Sequence, residues 1–132
     1  MKSFNLKIVT PDGLVFDSLV ESLLVRTDDG DVEFLAGHID YMASLGTGRA
    51  RIKADGKDRL ASVSGGFVTV KGGEVKLVAI TFEFREDIDL ERAKAALNEA
   101  KEALSDATDV KSVKIAKAKI ARAMNRIGIV EG

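Results

Sequence analysis

Hydrophobic side chains recur at every second position of this chain from residue 4 to about residue 81. In residues 4–8, Phe, Leu and Ile alternate with Asn and Lys, and in residues 49–54 Arg and Lys alternate with Ala and Ile. A period of two is typical of a β-strand with one buried face. Turn sequences rich in Gly and Asp divide this stretch at residues 11–13, 28–30, 46–48, 55–56, 65–66 and 72–73. The resulting short strands predict an antiparallel β-sandwich, or flattened barrel.

After residue 87 the hydrophobic period changes from two to a spacing of three and four. Two segments follow it: Leu90, Ala93, Leu97, Ala100 and Leu104, then Val113, Ala116, Ile120, Met124 and Ile127. This spacing predicts two amphipathic helices. Residues 105–109 supply turn residues and an N-cap for the second helix, so the helices should form an antiparallel hairpin. The predicted domains are therefore a β-sandwich, residues 1–86, and a helical hairpin, residues 87–132.

The predicted hairpin contains many alanines, which favour helix formation and allow two helix axes to approach closely. Isolated helices of this length are marginal in water, and this pair buries little apolar surface by itself. We expect the hairpin to rest on the sandwich, on a partner, or on each in turn. It is therefore a candidate moving part of the molecule.

Composition removes most catalytic and metal sites from consideration. Among the 132 residues there is no Cys, and His38 is the only histidine, so a triad or a histidine metal site would depend on that residue. No phosphate-binding glycine loop is present, and the acids of residues 28–33 are too closely spaced for an EF-hand. The chain also lacks the run of about 18 apolar residues that spans a membrane. A non-catalytic protein, soluble or peripheral on something larger, is predicted.

The second predicted helix is strongly basic. No acid lies between Val110 and Val130, and the cations there are Lys111, Lys114, Lys117, Lys119, Arg122 and Arg126. Nucleic acid is a poor candidate partner because the whole chain has a net charge of only −1 and no aromatic residues accompany the cations. An acidic protein surface or an anionic ligand fits better. Arg122 and Arg126 share a helix face, and their guanidinium groups could converge on a phosphate chain.

Four stretches together resemble the epsilon subunits of F-type ATP synthase. They are residues 9–16 (VTPDGLVF), residues 29–38 (DGDVEFLAGH), residues 63–70 (VSGGFVTV) and residues 88–93 (IDLERA). The order of these segments matches over essentially the whole chain. The resemblance implies a flattened sandwich of about ten strands followed by a helical hairpin, in agreement with the periodicity.

The resemblance also implies a function without catalysis. In this family the sandwich binds the rotating gamma subunit and rests on the membrane ring of c subunits, which couples ion-driven rotation to the catalytic head. Asp31 and His38 would then lie at the interface with the c-ring and stalk. The protein would sit at the cytoplasmic face of a bacterial membrane as part of the complex, without inserting into the bilayer and without an obligatory cofactor.

The hairpin of this family is mobile, and the resemblance assigns it a regulatory role. It either lies against the sandwich or extends along gamma, where its basic helix meets the catalytic beta subunits beside alpha and restrains ATP hydrolysis. The residues of this chain in that role would be Lys111, Lys114, Lys117 and Lys119.

Some bacterial members bind ATP in the folded hairpin, and the resemblance carries this regulatory ligand to seven residues here: Glu83, Ile88, Asp89, Arg92, Ala93, Arg122 and Arg126. A simpler interpretation competes with it. Asp89 is a good helix N-cap in any case, and Arg92 could be an ordinary surface residue. Capping does not explain Arg92, however, because a cation in the first turn opposes the helix dipole.

A second function class remains open at this stage. The chain could be a free-standing β-sandwich binding module whose helices mediate dimerisation. Co-purification with a gamma-like stalk protein would favour the rotor, and a stable solitary homodimer would favour the module. An enzyme would need turnover that depends on His38.

Overall fold

The computed structural model describes residues 2–132, and the chain divides into two compact units, Met1–Phe84 and Arg85–Gly132. The first unit is all β. Its strands are β1 (Phe4–Thr10), β2 (Gly13–Val20), β3 (Ser22–Thr27), β4 (Gly30–Leu35), β5 (Tyr41–Ser44), β6 (Gly48–Ala54), β7 (Lys57–Lys71) and β8 (Glu74–Phe84). The β-sandwich followed by two helices that the two periodicities predict is confirmed.

The strands form one sheet in the order β2-β1-β8-β7-β6-β3-β4, and β5 also pairs with β7. Every pairing is antiparallel except the one between β1 and β8. The sheet is not closed into a barrel, since β2 and β4 stand at the two ends of this order. Residues 2–132 contain eight strands instead of about ten, because β7 and β8 run 15 and 11 residues without a break.

The turn predicted at Gly65 and Gly66 is wrong, because both residues lie inside β7. Residues 57–63 of β7 pair with β6, whereas residues 67–70 pair with β5. Gly65 and Gly66 adopt φ angles of +71° and +96°, in a region that L side chains rarely enter. They allow one continuous strand to change partners, and a single long strand replaces two shorter ones.

One hydrophobic core holds the sandwich together. The alternating pattern of β1 places Leu6 and Ile8 there with no exposed surface, and Phe34 and Leu77 join them from other strands. The inward face of each strand is thus the apolar face that the period of two predicts.

The second unit is the helical hairpin. A single 3-10 turn, Arg85–Asp87, precedes α1 (Leu90–Asp106), and α2 (Val110–Glu131) follows after three residues. The buried positions of the helices are small with one exception, and they are Ala93, Ala100, Ala116, Ala123 and Ile129. Within residues 2–132, neither helix combines the length and the apolar character that crossing a membrane requires.

The strand bend yields a stability prediction. In Gly66→Ala the new Cβ would overlap the Val78 carbonyl oxygen, and φ would stay at +96°. We expect the sandwich to lose about 3 kcal/mol or more, measured as a lower midpoint of chemical denaturation. Gly56→Ala is the control, since Gly56 also has a positive φ but no heavy atom lies within 4 Å of the point that its new Cβ would occupy. It should cost about 1 kcal/mol, and equal losses in the two variants would contradict the packing argument.

Candidate functional site

Residues 88–93 form the start of α1, and Asp89 occupies its N-cap position. The backbone of Asp89 is extended, with φ −83° and ψ 102°, and its carboxylate accepts a hydrogen bond from the Arg92 amide at 3.1 Å. The carbonyl of Asp89 also accepts from the Ala93 amide at 3.0 Å. Asp89 therefore has a structural role in starting the helix, whatever else it binds.

The apolar residues of the same segment pack inward, and its arginine faces water. Ala93 is buried, Ile88 is half-buried, and the Ile88 amide donates to the Arg85 carbonyl at 3.3 Å. The side chain of Arg92 is exposed. Of the four residues that match the sequence motif, Arg92 is thus the one that offers an uncommitted charged group to solvent.

A groove of about 460 Å³ runs between the two helices further along the hairpin. Its α1 wall consists of Ala96, Glu99, Ala100 and Ala103, and its α2 wall consists of Lys119, Arg122, Ala123 and Arg126. The small side chains of the four alanines leave space between the two walls. Lys119, Arg122 and Arg126 follow a spacing of three and four, so they share one helix face. The groove is therefore a concave, mainly cationic site.

The groove brings together two residues of the predicted nucleotide site and also contains Lys119 and Glu99. Arg122 and Arg126 both line it, as the helical spacing predicts. Arg92 does not line it, but lies one turn before Ala96 on the same face of α1. Lys119 and Glu99 were not assigned to this site from the sequence. The signal for Lys119 was its spacing from Arg122, whereas Glu99 is recognised only once the helix pairing is known.

The remaining residue of the predicted nucleotide site, Glu83, belongs to the first unit. It lies on β8, is half-buried, and stands opposite Ser62 of β7. Its participation stays a prediction.

The cations of α2 fall into two groups by exposure. Lys111, Lys114, Lys117 and Lys119 are exposed, whereas Arg122 and Arg126 are half-buried. The half-buried arginines line the groove, and Lys119 lines its rim. The other three lysines remain on the solvent face of α2, where they could meet an acidic partner.

In the sandwich, the predicted interface residues lie on β4 and just after it. Asp31 accepts a hydrogen bond from Arg26 Nε at 2.7 Å, in a salt bridge between paired residues of β3 and β4. Both side chains are about half exposed, at 51% and 53%. An exposed pair of this kind contributes little to stability, so Asp31 remains available to a partner.

His38 belongs to a small aromatic cluster. Its ring centroid lies 4.9 Å from that of Phe34 and 5.9 Å from that of Tyr41, and its Nδ1 lies 2.8 Å from the Ile39 carbonyl oxygen. Three large apolar side chains flank it along the chain and are exposed: Leu35 at 54%, Ile39 at 77% and Met42 at 70%. We call these three exposed side chains, which lie within residues 35–42, the β4–β5 patch. The resemblance points to Asp31 and His38 in this region, and the exposure of the three apolar side chains adds to it.

Comparison with known proteins matches both units of the chain. The family model described as "ATP synthase, Delta/Epsilon chain, beta-sandwich domain" matches residues 3–85, and the "long alpha-helix domain" of the same chain matches residues 86–131. The ATP synthase epsilon chain of Bacillus velezensis is 41% identical over 129 residues, which cover 98% of each chain. That of Bacillus subtilis is 45% identical over 114 residues, or 84% of this chain and 86% of the relative.

Solved structures resemble the chain as well. A chain in the Euglena gracilis mitochondrial ATP synthase, in an assembly of OSCP, F1 and c-ring, superposes with a TM-score of 0.80 and 25% identity, over 93% of this chain and 78% of that one. A chain of the Tetrahymena thermophila central stalk and c-ring superposes with a TM-score of 0.68 and 14% identity, over 98% and 97%. At that identity the second likeness concerns the fold alone.

The two helix starts of the hairpin yield a matched prediction. Asp89→Ala removes a side-chain cap, and we expect it to destabilise α1 by about 1 kcal/mol. Asp109 occupies the N-cap of α2 but makes no side-chain cap hydrogen bond. Asp109→Ala should therefore cost less. Hydrogen exchange of the first-turn amides of each helix measures both effects, and an equal loss of protection would contradict a capping role specific to Asp89.

Proposed function

This chain belongs to the family of ATP synthase epsilon chains, and from that membership we propose a non-catalytic rotor subunit whose helical hairpin senses ATP. The observation that carries the sensor is the groove in which Arg122 and Arg126 converge with Lys119. The rotor role is supported by likeness to a chain of an assembly that contains F1 and a c-ring.

As a rotor subunit, the chain would bind the gamma subunit and the c-ring and would meet the catalytic beta and alpha subunits. It would be held peripherally at the cytoplasmic face of a bacterial membrane through the complex. His38 packs against Phe34 and Tyr41 and has its Nδ1 2.8 Å from the Ile39 carbonyl oxygen, and the proposal gives it no catalytic role. No obligatory cofactor is part of this proposal.

The β4–β5 patch and Asp31 form the proposed contact with the c-ring and stalk. Exposed apolar side chains next to a salt-bridged carboxylate give a surface with an apolar centre and a charged edge, which is the usual composition of a protein interface.

The proposed sensor works by differential affinity. The phosphates of ATP would contact Arg122 and Arg126 on α2, while Arg92 approaches from the start of α1. These contacts exist only while the helices are paired, so ATP would favour the closed hairpin over a separated one.

The exposed lysines of α2 would provide a binding surface for a partner when the two helices are separated. Lys111, Lys114 and Lys117 form a basic surface that complements acidic segments, and we assign to it the restraint of ATP hydrolysis at the beta subunits. ATP would relieve that restraint by retaining α2 in the closed hairpin.

Calorimetric titration of the intact protein with ATP tests the sensor. We expect a binding heat at millimolar ATP or below, and an affinity reduced about tenfold or more in Arg122→Ala and in Arg92→Ala, because each loses a charge-assisted hydrogen bond to phosphate. Lys111→Ala is the control, since it removes the same charge from the solvent face of α2. The absence of binding by the intact protein would reject the sensor and leave the family membership unaffected.

Binding to a purified c-ring in detergent tests the proposed patch. The double variant Ile39→Ser/Met42→Ser removes two apolar side chains that are 77% and 70% exposed, so the fold should be retained. We expect c-ring binding, measured by interferometry, to weaken about tenfold. Leu19→Ser, at a position of β2 that is 62% exposed, serves as the comparison. A similar loss in both proteins would contradict a specific role for the patch.

A further inference from the structure

We propose that Glu99 limits the affinity of the hairpin groove for polyphosphates through an electrostatic repulsion that grows with the negative charge of the ligand. The inference rests on the proposed nucleotide site and deepens it. It concerns a residue of α1 that no resemblance assigns to the site and that lies against the cations of α2.

The first observation is the position of Glu99. It lines the same groove as Lys119, Arg122 and Arg126, and it is the one acid among the residues that do so. Any phosphate chain placed against Arg122 and Arg126 in this groove must therefore also approach the Glu99 carboxylate.

The second observation is that no cation of α1 lies one turn from this carboxylate, and that the cations across the groove make no ion pair with it. Residues three and four positions away on α1 are Ala95, Ala96, Glu102 and Ala103, so no cation is one turn distant on its own helix. Within the described part of the chain, residues 2–132, Glu99 takes part in no salt bridge. Its charge therefore remains exposed to whatever enters the groove.

The physical consequence is an electrostatic repulsion that becomes stronger with each negative charge on the ligand. The Coulomb energy between Glu99 and a bound anion rises with each added phosphate charge, and AMP, ADP and ATP carry successively more of them. Because Glu99 is exposed to water, the repulsion is partly screened and amounts to a several-fold effect on affinity. The three cations still favour ATP, so Glu99 reduces the preference without reversing it.

This arrangement suits a regulatory site better than a storage site. Ligand binding stabilises the closed state by an amount that grows with the logarithm of the ratio of ligand concentration to Kd. A site that binds too tightly stays saturated, so its occupancy does not respond to changes in ATP concentration. Glu99 keeps the groove from reaching the affinity that Lys119, Arg122 and Arg126 would provide alone.

The test compares Glu99→Gln with two matched variants. Glu102→Gln makes the same charge change on the next turn of α1, outside the groove lining, and Glu99→Asp keeps the charge in place. Each intact protein is titrated with the sodium salts of AMP, ADP and ATP in EDTA, at about 0.05 M and about 0.5 M salt. Circular dichroism confirms that every variant retains its helices.

We expect Glu99→Gln to tighten ATP binding by about 3- to 10-fold at low salt, ADP binding by less and AMP binding least. The gain should shrink at high salt. Glu99→Asp should bind like the unmodified protein, and Glu102→Gln should stay within about twofold of it.

The outcomes separate this inference from the sensor itself. If the unmodified protein binds ATP and Glu99→Gln gives no gain, or the same gain for all three nucleotides, the role of Glu99 is rejected and the nucleotide site stands. If only Glu99→Gln binds ATP, the role of Glu99 is supported, and the unmodified chain is no sensor. If neither protein binds ATP at millimolar concentration, both proposals are rejected.

Discussion

The helical unit depends on one packing feature, the small size of its fully buried side chains. The larger residues of the same helix faces, Leu97, Leu104, Ile120 and Ile127, are only half-buried. The buried positions are Ala93 and Ala100 on α1 and Ala116 and Ala123 on α2, with Ile129 as the larger exception. Burying an alanine methyl contributes far less than the roughly 1.5–3 kcal/mol of a buried leucine or valine side chain. Small residues also let the helices approach closely, and they leave between them the open groove that Arg122 and Arg126 line. Weak pairing and a ligand-sized groove thus have the same cause.

The sandwich differs from the hairpin in the size of its buried side chains. Its core contains Phe, Leu, Ile and Val side chains with little or no exposed surface, and long strands such as β7 tie several neighbours into one sheet. A unit of this kind can carry a partner interface without rearranging, since the β4–β5 patch projects from elements whose inner faces are fixed. The chain therefore combines a sandwich with a core of large apolar side chains and a hairpin that buries mainly alanines, and the proposed regulatory role depends on this combination.

Periodicity was sufficient to predict both units and the helix positions, because each depends on local alternation between buried and exposed residues. It failed at Gly65 and Gly66, where two glycines were taken for a hairpin turn. Positive φ angles serve a tight turn and a strand bend equally well, and only the partner strands decide between them. Only part of the groove lining could be predicted from the sequence, for a similar reason. Arg122 and Arg126 share a face by spacing alone, but placing Glu99 opposite them requires the register of one helix against the other.

The energetics of such a sensor limit how it can work. A ligand at a concentration equal to its Kd stabilises the state it binds by only about 0.4 kcal/mol, and at ten times Kd by about 1.4 kcal/mol. A site weakened by Glu99 can therefore shift the hairpin only if its open and closed states are already nearly balanced. A helix interface of large buried apolar residues would stabilise the closed hairpin by more than ATP binding does, and the helices would then stay paired at any ATP concentration. In the proposed sensor, a seam of buried alanines would keep the equilibrium within the range that ATP binding can shift, so a helix interface of small residues and a groove of modest affinity would be two requirements of one switch.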